Sequence, residues 1–212
     1  MIVRRRTSVI LMASEMFLLA VMGLGVSQGT AYSIAGMVLG AAVMAVPWTL
    51  ERMGWVKVPA LVQAWIVLAV GLHTVGLIWR LYDSVSWWDH MTHVLSSSLI
   101  GLLAVMSLFI IERNSESIRL PSWSYILFVV VFTMFTGTLW EVGEFIGDAA
   151  FGTRMQYSLT DTLNDIYFDL MGGFAAGVAW CGILKRGATG GMDDIVPGDL
   201  VKRMKDRFPD RS

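Results

Sequence analysis

Charge is scarce in this chain. Aspartate, glutamate, lysine and arginine make up 16% of its 212 residues, where a soluble domain carries about a quarter. The charges stand in clumps, and the stretches between them are almost free of charge. That pattern belongs to membrane spans and not to one large soluble core. An excess of either sign is missing too: the net charge is −1, so nothing points to a nucleic-acid partner. Cysteine is nearly absent. The single Cys181 excludes an internal disulfide and any cysteine-built metal cage, and inside a helix it reads as a small apolar filler. No Ser-His-Asp arrangement, phosphate-binding glycine loop or dinucleotide fingerprint occurs in a convincing context, so no nucleotide cofactor is expected.

What the chain has instead is apolar length, with 55% hydrophobic residues. Six segments are long enough to cross about 30 Å of hydrocarbon at about 1.5 Å per residue: 8–26, 31–48, 59–79, 91–111, 122–146 and 162–184. The expected fold is therefore all-α, a polytopic membrane protein with six transmembrane helices in a domain spanning 1–186. Arg4, Arg5 and Arg6 ahead of the first apolar run evoke a signal peptide or a twin-arginine signal. The run is longer than a usual signal core and ends without a small-x-small cleavage pattern, so an uncleaved first helix is expected.

Orientation follows from the basic residues. With the N-terminus inside, fourteen of the sixteen lysines and arginines fall on the cytoplasmic side, leaving only Arg80 and Arg154 outside. This is the bias of the positive-inside rule, and an even helix number places both termini in the cytoplasm. The location implied is the cell (plasma or inner) membrane, as a multi-pass protein in contact with the lipid bilayer. Trp48, Trp55, Trp79, Trp87, Trp88, Trp123 and Trp140 fall near helix ends, as an aromatic belt requires. Gly36-x-x-x-Gly40 and Gly173-x-x-x-Gly177 read as close-packing faces, and a homo-oligomer stays open. The cytoplasmic tail, 187–212, carries Leu200, Val201, Met204 and Phe208 against Lys202, Arg203, Lys205 and Arg207. It reads either as a short interfacial helix or as a solvated tail.

Ionisable groups inside a bilayer are expensive and tend to serve function. Apart from Glu15 and His73, nearly all of them gather in three places: Asp89, His90 and His93 opening helix four; Glu141, Glu144 and Asp148 closing helix five; Asp161, Asp165 and Asp169 opening helix six. In this topology all three are outer ends. Spacings of three and four put Asp89 with His93, Glu141 with Glu144, and Asp161 with Asp165 and Asp169 on common helix faces. So many carboxylates cannot all stay ionised in a low dielectric without a cation. A divalent metal is the simplest compensation, and one imidazole among carboxylates suits zinc, iron or manganese. The candidate ligands are His93, Glu141, Glu144, Asp165, Asp169, Asp89 and Asp161. Protons or Arg154 are the competing compensation.

Plainer roles compete at several positions. Asp89 and Asp161 stand at helix starts, where carboxylates cap exposed amides, and Ser158-x-x-Asp161 resembles a loose capping box. His90 is read as facing water or headgroups, Asp148 as a solvated loop residue, and His73 as a hydrogen-bonded packing histidine. Glu15 is read as neutral or paired with a neighbour such as Gln63.

Over 80–184 the chain resembles the YjdF-like family of integral membrane proteins and, more distantly, the VanZ-like family. The resemblance rests on Asp89-x-x-x-His93, Glu141-x-x-Glu144, and Asp161-x-x-x-Asp165 followed by Gly172. VanZ-like proteins typically show glutamine at the position of Glu144 and asparagine at that of Asp165, a departure that weakens the transfer of a glycopeptide-resistance role. The YjdF-like resemblance implies the fold and the site and supplies no reaction. Three readings follow. The first is an outward-facing metal site, in a metal-dependent enzyme acting on a lipid-like, amphipathic or small-molecule ligand. The second is a proton- or cation-coupled small-solute transporter, and the third a non-catalytic accessory protein. Whether the chain is an enzyme is not decided by these residues.

Overall fold

The computed structural model of the chain describes residues 60–113 and 117–185, residues 51–53, Val58 and Ser115, and eight single positions between Met16 and Thr49. The expected spans 8–26 and 31–48, with Glu15, and the tail 187–212 lie outside this described set, save for those single positions.

Five helices are described: α1 (Ala60–Ile78), α2 (Leu81–Ser84), α3 (Trp88–Arg113), α4 (Ser122–Phe151) and α5 (Leu159–Lys185). Among the described residues there is no strand. Each long helix is mainly apolar and free of proline, and its ends are set by local chemistry. Pro121, with φ −67° and ψ 147°, is the extended residue from which α4 starts. At the far end of α4, Gly152 adopts φ 66° and donates its N–H to the Asp148 carbonyl, a left-handed stop that suits glycine. The turn joining α3 to α4 is closed by Glu112, whose carboxylate accepts the Leu120 N–H at 3.0 Å and the Tyr125 hydroxyl. Between α1 and α2, Arg80 turns the chain at φ 55°, held by the Ser84 hydroxyl on its carbonyl and by its own ion pair with Asp83.

Helix α5 is the centre of the described bundle. It packs along α3 and α4, and α1 lies on the outer side of α3. Two apolar clusters hold these contacts. Val62, Ile66 and Ala69 of α1 meet Leu99 of α3. Ala104 and Val105 of α3, Tyr125 and Val129 of α4, and Trp180 and Cys181 of α5 form the second. Cys181 is buried, and its thiol also points at the Ser122 carbonyl, 2.9 Å away. The helices approach closely because small residues line the seams: a methyl on Gly172 would strike Ser97 and the Val94 carbonyl, and one on Gly173 would strike Thr133. In lipid, where apolar burial drives little helix association, such contacts are the main source of packing energy.

The surface chemistry is inverted relative to a soluble bundle. Gln63, Thr74, Thr92, Ser97, Thr133, Glu141, Asp165 and Asp169 are buried, while Leu127, Val131, Phe135, Leu139, Phe145 and Ile146 of α4 are exposed. An apolar band of that extent is unstable in water and at home against acyl chains. Two helices, Trp88–Glu112 and Ser122–Phe151, are long and apolar enough to cross a bilayer.

Candidate metal centre

The acidic residues converge because of helix direction and register. Helices α3 and α5 run parallel: His93 faces Asp169, Ser97 faces Gly172, and Gly101 faces Gly173 and Ala176. Helix α4 runs the opposite way, with Gly137 against Asp169 and Thr133 against Gly173. The first turns of α3 and α5 and the last turns of α4 therefore meet at one end of the bundle. Continuing the α4–α5 register by one turn sets Glu141 opposite Asp165.

His93 is the hub. Its Nε2 lies 3.5 Å from Asp89 Oδ1 and 3.9 Å from Asp165 Oδ1, and its Nδ1 lies 3.2 Å from Asp169 Oδ1. The two sides of the ring differ in kind. The Nδ1 distance is that of a weak hydrogen bond, whereas both Nε2 distances exceed the ordinary range. They approach instead the edge of a ligand tetrahedron: two atoms each about 2.05 Å from a tetrahedral ion stand about 3.3 Å apart. One atom each of Asp89, His93 and Asp165 lie within 4.8 Å of one another. A point within about 2.8 Å of all three therefore exists, and a small inward movement of each brings them to metal-ligand distance.

The surrounding oxygens lack donors. Glu141, Asp165 and Asp169 are 3%, 2% and 4% exposed. Both carboxylate oxygens of Glu141, Asp165 Oδ1 and Asp169 Oδ2 are buried without a well-formed hydrogen bond among the described residues. Thr162 and Gln156 face the Glu141 carboxylate only loosely, and the Gln156 amide donates instead to the Glu141 backbone carbonyl at 3.1 Å. A buried, unpaired carboxylate costs several kcal/mol, so the arrangement calls for bound protons or a cation. Arg154 does not supply it: it is exposed and joins no ion pair among the described residues.

The remaining candidates stand further out. Glu144 is half-buried and accepts the Trp140 indole N–H at 2.9 Å. Asp161 is half-buried in the first turn of α5, where its own N–H is capped by the Ser158 hydroxyl at 3.1 Å. That contact is the Ser158 half of the expected capping box. His90 stacks on Phe168 with ring centroids 4.4 Å apart, so it packs on protein. His73 is hydrogen-bonded through Nδ1 to the Tyr82 hydroxyl at 2.7 Å and meets Trp140 edge-on. Asp148, expected as a solvated loop residue, is partly exposed but lies in the last turns of α4 and organises the α4–α5 loop: its carboxylate accepts the Thr153 hydroxyl and the N–H groups of Met155 and Gln156. Gln63, considered above as a partner for Glu15, is engaged with Glu51 and the Val58 carbonyl.

Several participants carry no signal of their own in the sequence. Gly137, one turn before Glu141 on the same face of α4, is where the Asp169 carboxylate rests, and only its position four residues away hints at this. Tyr157 donates to Asp83 Oδ1 at 2.6 Å, tying the α4–α5 loop to the α1–α3 connection beside the site. That hydroxyl, outweighing partial burial and assisted by Arg80, holds the Asp83 carboxyl below the usual carboxylate range.

Comparison with known proteins places this chain in a family without assigning it chemistry. A protein of Thermotoga maritima described as uncharacterized is 27% identical over 128 residues, which are 59% of this chain and 65% of that protein. The match thus covers less than two thirds of the relative's own length. No solved structure matches the chain. The profile of one family, described as "Predicted membrane protein (DUF2238)", matches residues 9–186, most of the chain. On that match, this chain is a member of the DUF2238 family of membrane proteins.

Proposed function

We propose that this is a six-span protein of the cell membrane, with residues 1–186 as its helical domain and both termini cytoplasmic, which holds a divalent cation in a polar site near its outer face. Asp89 and His93 of α3 and Asp165 of α5 are the ligands, and Glu141 of α4 completes the set. Zinc, iron or manganese suits one imidazole among carboxylate oxygens. The observation that carries this reading is the pair of His93 Nε2 distances, 3.5 and 3.9 Å, too long for hydrogen bonds and close to ligand-edge lengths. The buried carboxylate oxygens beside them, without well-formed hydrogen bonds, support it.

A cation in this position supplies a Lewis acid and lowers the pKa of water. Val142, Phe145 and Ile146, exposed on α4 next to Glu141 and Glu144, suit a lipid-like or amphipathic substrate whose polar end reaches the site from the bilayer. Glu144, held by Trp140 outside the ligand set, is the spare carboxylate available as a base. The YjdF-like resemblance is compatible with the family match and adds no reaction of its own.

Elemental analysis of the detergent-purified protein tests the reading. A single divalent ion per chain is expected, falling to background in Asp165→Ala and in His93→Ala. Wild-type protein that is isolated without metal, and takes up none of zinc, iron or manganese on titration, removes it.

A further inference from the structure

Asp165 and Asp169 sit one turn apart on α5, are equally buried, and point toward the same imidazole, yet they meet it on opposite edges. Asp165 Oδ1 faces Nε2 at 3.9 Å, a distance at which no hydrogen bond forms. Asp169 Oδ1 faces Nδ1 at 3.2 Å, within hydrogen-bond reach. The two ring nitrogens of an imidazole point away from each other, so one ion cannot be shared by Nε2 and by a carboxylate bonded to Nδ1. The other oxygen of Asp169 has no hydrogen-bond partner among the described residues and is turned toward α4. A methyl on Gly137 would collide with Asp169 Oδ2 and come within 2.8 Å of its Cγ. The carboxylate is thus clamped between the His93 ring and the bare backbone of α4.

We infer that Asp169 is a positioning residue and not a ligand: it keeps the proton of His93 on Nδ1 so that the Nε2 lone pair is presented to Asp89 and Asp165, and Gly137 is the position that admits it. This rests on the cation reading of the site and divides its carboxylates by role. Histidine ligands commonly give their second ring N–H to a carboxylate, which fixes the tautomer and ring orientation. In this chain the same carboxylate also joins all three helices, since it arises from α5, bonds a side chain of α3 and rests on α4.

The test uses full-length protein in detergent with zinc as the probe. Asp169→Asn is expected to bind zinc with unchanged stoichiometry and coordination number by X-ray absorption, but with affinity lowered roughly 10- to 100-fold. Gly137→Ala carries no donor atom and is expected to weaken zinc by a comparable factor. The double variant is expected to be little worse than Asp169→Asn alone, because both changes break one contact. A lower coordination number in Asp169→Asn makes Asp169 a ligand and overturns the inference, as does Gly137→Ala with wild-type affinity. A separate readout is spectroscopic: imidazole nitrogen NMR of zinc-loaded protein is expected to find Nε2 of His93 on the metal and Nδ1 protonated, with an Nδ1 signal altered by Asp169→Asn. If the wild type binds no zinc, the cation reading fails. If Nδ1 is unprotonated or insensitive to Asp169, the positioning role fails.

Discussion

Replacing Glu141 with methionine is expected to change protein stability in opposite directions with and without metal. Glu141 is 3% exposed and neither of its carboxylate oxygens has a well-formed hydrogen bond among the described residues. In metal-free protein it is an uncompensated polar group among other acids. An unbranched apolar side chain of similar length fills the same space. Exchanging a buried ionic group for an apolar one is often stabilising, by up to about 4 kcal/mol, and about 2 kcal/mol is expected here. Zinc reverses the balance. At about 1,000 times its dissociation constant a ligand stabilises the native state by about 4 kcal/mol. If losing Glu141 weakens zinc about 100-fold, the same concentration stabilises the variant by only about 1.4 kcal/mol. The variant's advantage then becomes a deficit of about 0.6 kcal/mol. Reversible denaturation in mixed detergent, run once with chelator and once with saturating zinc, reads both values. A Glu141→Met protein less stable than wild type in chelator would refute the claim that this carboxylate is unpaired without a cation.

Two further expectations concern the loop and the topology. The Tyr157–Asp83 hydrogen bond is strongest with an ionised Asp83, whose carboxyl is held below its ordinary value. Its contribution is therefore complete above the ordinary carboxylate pKa of about 3.9 and is lost as pH falls through the lower folded value. Hydrogen exchange of residues 152–158 is expected to rise below that pH in wild type, whereas Tyr157→Phe shows fast exchange throughout; identical profiles would argue against the latch. For topology, Arg154→Cys in a Cys181→Ser background is expected to react with an impermeant thiol reagent from outside intact cells, and Ser212→Cys only after permeabilisation. The reverse pattern would put the acidic end of the bundle in the cytoplasm.

Much of this was legible along the chain because it depends on local chemistry. Sparse charge and long apolar runs specify helices in lipid, since a backbone in hydrocarbon must satisfy its own hydrogen bonds. A spacing of four places Asp89 with His93, and Asp165 with Asp169, on common faces through the helical period alone. The capping of α5 by Ser158 is equally local. The same logic misplaced Asp148. Its partners Thr153, Met155 and Gln156 lie beyond the end of the helix, and they reach it only when Gly152 folds the loop back.

The different ring edges of His93 that Asp165 and Asp169 meet could not be read in this way. Helical periodicity assigns a residue to a face with a tolerance of tens of degrees, and a ring nitrogen is chosen at the scale of one ångström. That choice depends on how far α5 slides along α3 and α4. The sliding is stopped by contacts distant in sequence: Gly172 on Ser97, Gly173 on Thr133, and Gly137 under Asp169. A linear chain thus carries the helices, their solvent and the inventory of acids. The depth, partner and ring edge of each acid arise from interhelical packing, because only close backbone approach sets register between separate helices.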